Sequence, residues 1–111
     1  MSETVHHSGL LWRWAGADGS GSWHFVTLDG DAGNAIAAHE AMRRLELGAG
    51  AARNRGFGSV KVEARIGATC WRTSVFPSTA QGGYLLPVKQ AVRRAEDLAE
   101  GDAVQVSLEL L

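Results

Sequence analysis

GGYLLPVKQAVRRAEDLAEGDAVQVSLELL, residues 82–111, reads as a strand, a proline break, a short helix, a Gly-Asp turn and a second strand. Tyr84-Leu85-Leu86 is the first apolar run. Pro87 suits a helix start, where its fixed φ and missing N–H cost little. Val88, Ala91, Val92 and Ala95 give that helix an apolar stripe at helical spacing. After Glu100-Gly101-Asp102, the residues Val104, Val106, Leu108 and Leu110 alternate with Gln105, Ser107 and Glu109, the period of a half-buried strand. A fainter strand-then-helix copy stands at SWHFVTLDGDAGNAIAA, residues 22–38. A unit used twice predicts internal pseudo-two-fold symmetry.

The rest of the chain extends that pattern. Leu10–Ala15 is a strand with Trp12 and Trp14 on one face and Leu11 and Arg13 on the other. AGADGSGS (15–22) is a turn, which makes a hairpin with Ser22–Leu28. Asp31 and Asn34 are candidate N-caps for a helix to about Leu47, with Ala35, Ala38, Met42 and Leu45 as its apolar stripe. Gly48 and Gly50 are expected to end it. AGAARNRGFG (49–58) then reads as a connector. Gly58–Ile66 alternates most clearly, with Val60, Val62, Ala64 and Ile66 against Lys61, Glu63 and Arg65. Thr69–Phe76 follows, and Pro77 is expected to stop it. Six strands and two short helices predict a small all-β domain over residues 1–111, a closed six-stranded β-barrel. Closure has a physical motive, since it removes exposed sheet edges.

Composition bounds the function. The chain has 111 residues, 45% of them hydrophobic and 21% charged, which suits one globular domain and argues against disorder. Its one cysteine cannot pair within the chain, which fits a reducing compartment. No signal peptide and no run of about 20 apolar residues is present, so the expectation is a cytoplasmic protein without membrane attachment. Net charge is −1 but unevenly spread. Residues 53–94 carry eight bases against Glu63 alone, whereas residues 95–111 carry five acids and no base. Such a basic block marks a surface for an anion, an acidic partner or nucleic acid, unless folding intersperses it with acids.

Three stretches carry a family resemblance: Arg55–Ser59 (RGFGS), Trp71–Pro77 (WRTSVFP) and Leu86–Arg93 (LPVKQAVR), together with the Trp-aromatic strand Ser22–Val26. In these the chain resembles DUF1905, a bacterial and archaeal domain of unknown function related to the YdeI/OmpD-associated proteins. The resemblance covers nearly the whole chain. It departs at Leu28-Asp29, where many relatives have Leu-Pro, and in Glu40–Ala52, which looks longer than usual. It implies a small closed β-barrel and no assigned activity. The terminal unit is also similar to the strand-helix-strand hairpin of AbrB-type DNA-binding proteins, whose double-split barrel is built from two chains. Here one chain holds both halves. That likeness is a fold analogy and weak ground for function.

The candidate chemistry is sparse. His6-His7 has no Cys, His or Asp partner at ligand spacing, so no metal is expected. No nucleophile elbow accompanies Cys70, Thr73, Ser74 or His24, so no catalytic residue is assigned. His39 is expected to face solvent. RGFGS lacks phosphate-loop spacing and runs into a strand rather than a helix. Four tryptophans line either the core or a ligand cavity. Lys89 sits near a helix start, where the dipole disfavours a cation unless an anion answers it. Two readings remain for it: a salt bridge to Glu63 or Asp102, or an anion patch with Arg55, Arg72 and Arg93. Trp23, Thr73, Ser74, Phe76 and Tyr84 are the expected cavity-lining set.

The expected function is a non-catalytic binding or interaction module for an anionic small molecule or a protein partner, with no cofactor, in a monomer or weak dimer. A nucleic-acid-binding regulator is the alternative by the AbrB analogy, though −1 net charge argues against strong nonspecific binding. A small enzyme with a site at the barrel mouth is the third reading.

Overall fold

A computed structural model describes residues 3–15, 22–53 and 58–111. The elements are β1 (Glu3–Ala15), β2 (Ser22–Leu28), α1 (Gly30–Arg53), β3 (Val60–Ile66), β4 (Thr69–Ser78), β5 (Gly83–Pro87), α2 (Gln90–Ala95) and β6 (Ala103–Leu110). The six strands close into an antiparallel barrel in the order β1-β2-β5-β4-β3-β6. Exchanging β1, β2 and β3 with β4, β5 and β6 leaves every neighbour in this ring unchanged. The topology therefore has the two-fold character that the repeated strand-helix unit implied.

β1 and β4 carry the closure. β1 pairs with β6 through Leu10 and with β2 from Leu11 onward. β4 pairs with β3 through Val75 and with β5 from Phe76 onward. Each long strand thus leaves one half-barrel and enters the other. The first half comprises β6, β3 and the leading parts of β1 and β4. The second comprises β2, β5 and their trailing parts. β1 begins seven residues before the alternation at Leu10 made it visible, because its polar leading part is held by the β6 ladder. Pro77 does not stop β4. It lies opposite Tyr84 near the end of the strand, where a missing N–H is tolerated.

The interior is filled from every strand by period-two alternation. Val60, Val62, Val75, Leu86 and Leu108 are fully buried, as are Val26 and Leu28. Trp71 and Tyr84 also point inward. The helices close on this core differently from expectation. α1 is not short: it runs 24 residues, passing through Gly48 and Gly50. Each glycine costs a helix only about 1 kcal/mol against alanine, and alanines 49, 51 and 52 surround them. Among its described side chains the buried positions are Ala32, Gly33, Ile36 and Glu40, while Met42 and Leu45 are exposed. The predicted stripe was rotated, since among these only Ile36 is a large apolar side chain set against the barrel. His39 is half-buried, with Nε2 3.3 Å from the Leu111 carbonyl oxygen. α2 starts at Gln90, with Lys89 in extended conformation before it. Pro87 remains in β5, opposite Phe25.

Candidate functional site

Alternation along a barrel strand puts every second side chain outside, and here the two halves present opposite chemistry. On the second half the register aligns three outward rows: Trp14 with Trp23, Trp12 with Phe25 and Pro87, and Thr27 with Leu85 and Phe76. Trp23 is 58% exposed, Trp14 50% and Phe76 44%. Exposure at that level means that these rings neither fill the core nor line an internal cavity. Trp71 alone of the four tryptophans is buried. The face is preorganised. The Trp12 indole Nε1 donates to Thr27 Oγ1 at 2.8 Å. Phe25 sits between Trp12 and Trp23, with ring centroids at 5.2 and 6.4 Å. Trp12, Trp14, Trp23, Phe25, Phe76, Leu85 and Pro87 together line an open groove of about 450 Å³ with almost no polar surface.

At one end this face meets a cationic barrel mouth. The next inward row is Arg13 opposite His24. The His24 carbonyl accepts from the Val88 N–H at 2.9 Å, which ties β2 to the chain leading into α2. Arg93 Nε donates to the Val88 carbonyl at 3.2 Å, so the guanidinium is held over the mouth. Trp23, His24, Pro87, Lys89, Gln90 and Arg93 border a depression of about 230 Å³, sharing Trp23 and Pro87 with the aromatic groove. His24 Nδ1 is buried there with no hydrogen-bond partner. Burial lowers the pKa of His24 below the usual imidazole value. Arg93 and Arg13 lower it further, and Glu100 acts in the opposite sense.

The predicted site residues divide. Lys89 and Arg93 come together at the mouth. Arg72 does not join them: it lies on the outer face of the other half-barrel, opposite Glu63. Arg55 lies outside the described residues, as does most of the RGFGS segment. Among the described residues no salt bridge joins Lys89 to Glu63 or Asp102. Of the expected cavity set, Trp23 and Phe76 belong to the outer aromatic face, whereas Thr73 and Ser74, as neighbours on β4, point to opposite sides of the barrel wall. Tyr84 faces inward, beneath a groove that Glu40 and Ala41 of α1 also line. His24 is not grouped with Cys70, Ser74 or Thr73, which lie on another strand and, for Cys70 and Ser74, on the outer side.

Arg13 was missed as a mouth residue, and so were Trp12, Trp14, Phe25 and Leu85 as members of an outer face. The signal for the latter was present, because Leu11, Val26 and Leu28 occupy the alternate positions and could supply the core. Among the described residues no cluster of three or more His, Cys, Asp or Glu is placed to hold a metal ion. No described helix is long and apolar enough to cross a membrane.

A search of curated proteins returned no match. A family model described as "Domain of unknown function (DUF1905)" matches residues 8–108, a span that takes in all six strands at least in part and includes both the aromatic face and the mouth. The chain belongs to the DUF1905 family.

Proposed function

We propose that the protein is a non-catalytic interaction module that captures a segment of a partner protein, one carrying apolar side chains beside acidic ones. The observation that carries this reading is the contiguous outer aromatic face running into the Lys89–Arg93 mouth. Folded proteins rarely expose contiguous apolar patches of this kind unless they are used, and Trp and Arg are the residues most enriched where binding energy concentrates. Across four strands and three rows the face spans roughly 14 by 14 Å, from strand spacings near 4.8 Å and two-residue steps near 6.8 Å. That is the scale of an interface centre.

Shape favours a protein segment over a small molecule. Small-molecule sites are concave and enclose most of the ligand, whereas this groove lies open on the outside of a barrel. Charge favours an acidic segment, because no carboxylate lines either depression. A closed barrel offers no strand edge for β-augmentation, so side-chain anchoring on the tryptophans supplies the affinity. Selection of a displayed random-peptide library on the full chain tests this. The expected outcome is a consensus with aromatic or large aliphatic anchors next to Asp or Glu, weakened at least about tenfold by Trp23→Ala and also by Lys89→Glu. No enrichment, enrichment of basic peptides, or equal binding to Trp23→Ala would overturn it. Sedimentation run alongside shows whether the same face joins two copies of this chain instead.

A further inference from the structure

The opposite half of the barrel carries a second, polar arrangement, independent of the aromatic face. Its register sets four outward side chains in one row across four strands. Cys70 is opposite Arg65, Arg65 is opposite Ser107, and Ser107 is opposite His6. Directly opposed residues have Cβ atoms about 5 Å apart, so Arg65, Ser107 and His6 form one continuous polar line. His6 Nδ1 lies 2.9 Å from Ser107 Oγ. Arg65 Nε donates to the Gly67 carbonyl at 3.0 Å. That bond fixes the guanidinium beside the row and leaves its terminal nitrogens with no protein partner among the described residues.

The row borders an open depression of about 460 Å³, lined by Ser8 and Gln105 as well as by His6, His7, Arg65 and Ser107. Every one of these side chains except His7 is exposed or part of the outer surface, and none is a carboxylate. The nearest acids in the register are Glu63 and Glu109, which face each other one row along. Neither is paired with Arg65. Glu96 comes close to Gly67 at the edge of the depression, where its Oε2 accepts from Thr69 Oγ1 at 2.6 Å and it makes no ion pair with Arg65. A planar cation held by its Nε, a hydroxyl and an imidazole, arranged without an acid among them, suits a tetrahedral oxyanion, which guanidinium forks recognise by paired donors.

We propose that Arg65, Ser107 and His6 form a binding site for a phosphate-class oxyanion, either free or as a terminal monoester. The experiment follows the His6 ring, the Ser107 amide and the Arg65 Nε by NMR during titration of the full chain at constant ionic strength. One arm adds inorganic phosphate and the other adds methyl phosphate. Saturable shifts at all three groups are expected, with a dissociation constant of about 1–10 mM, an affinity near 3–4 kcal/mol. Arg65→Gln weakens it at least about fivefold and His6→Gln weakens it less, whereas Trp23→Ala, on the far side, leaves it unchanged. Tighter binding of methyl phosphate assigns the site to a phosphorylated molecule, and binding of inorganic phosphate alone assigns it to the free ion. Shifts that chloride reproduces, that never saturate, or that survive Arg65→Gln mean an adventitious ion only and overturn the proposal.

Discussion

A methyl group built on Gly83 would lie 2.2 Å from the Leu28 carbonyl oxygen and 3.0 Å from the Asp29 Cα, backbone atoms that cannot swing away. β5 therefore passes the end of β2 only because position 83 has no side chain. Gly83→Ala is expected to destabilise the fold by about 2–4 kcal/mol through overpacking, read as a lower denaturant midpoint with unchanged slope. A midpoint within error of the parent would show that the approach is looser than described. His24 sets a pH dependence at the same scale. Its folded pKa is lowered, by burial first and then by Arg93 and Arg13. The unfolded chain therefore takes up the proton before the folded one as pH falls. Stability is full above the unfolded value of about 6.5 and declines below it, until the folded pKa is passed. Arg93→Gln removes one of the depressing charges, so the His24 pKa measured by NMR should rise. An unchanged value would remove Arg93 from the mouth.

β3 and β6 were legible in the sequence down to their inward residues, because strict alternation of aliphatic side chains with charged ones in β3, and with mostly polar ones in β6, leaves one assignment. The tryptophan strands were legible as strands but not as to which side faced in. Large aromatics suggest a core, yet an interior already filled by Leu11, Val26, Leu28 and Leu86 has no room for them. α1 was legible as a helix and misread in rotation. Its sequence offers two weak apolar stripes, and only packing against the barrel selects Ala32 and Ile36. Ile36→Ala should cost about 2–4 kcal/mol, while Met42→Lys should change stability by less than about 0.5 kcal/mol. Equal losses from both, in chemical denaturation, would place the helix on its other face. The His6–Ser107 contact spans 101 positions. Nothing local in the sequence signals it, since it exists only through the β1–β6 register.

At the scale of the molecule, the barrel is amphipathic on its outside. One half shows Trp14, Trp23, Phe25 and Phe76, and the other shows Lys61, Arg65, Arg72, Gln105 and His6. Among the described residues, five bases of the 53–94 block are split between these two regions rather than gathered in one. Lys89 and Arg93 go to the mouth, and Lys61, Arg65 and Arg72 go to the polar half. The exchange that relates the repeated units maps each half-barrel onto itself, so the aromatic and polar halves are two distinct surfaces rather than copies of one another. On this account the aromatic half and its mouth are the contact surface for a partner. The most direct test is to map an enriched acidic-aromatic peptide onto the isotope-labelled full chain by chemical-shift perturbation. Changes are expected at the indoles of Trp12, Trp14 and Trp23 and the amides of Phe25, Leu85 and Lys89, with the outward positions of β3 and β6 silent. Perturbations centred on Arg65, Ser107 or Glu109 instead, with the three indoles unmoved, would contradict it.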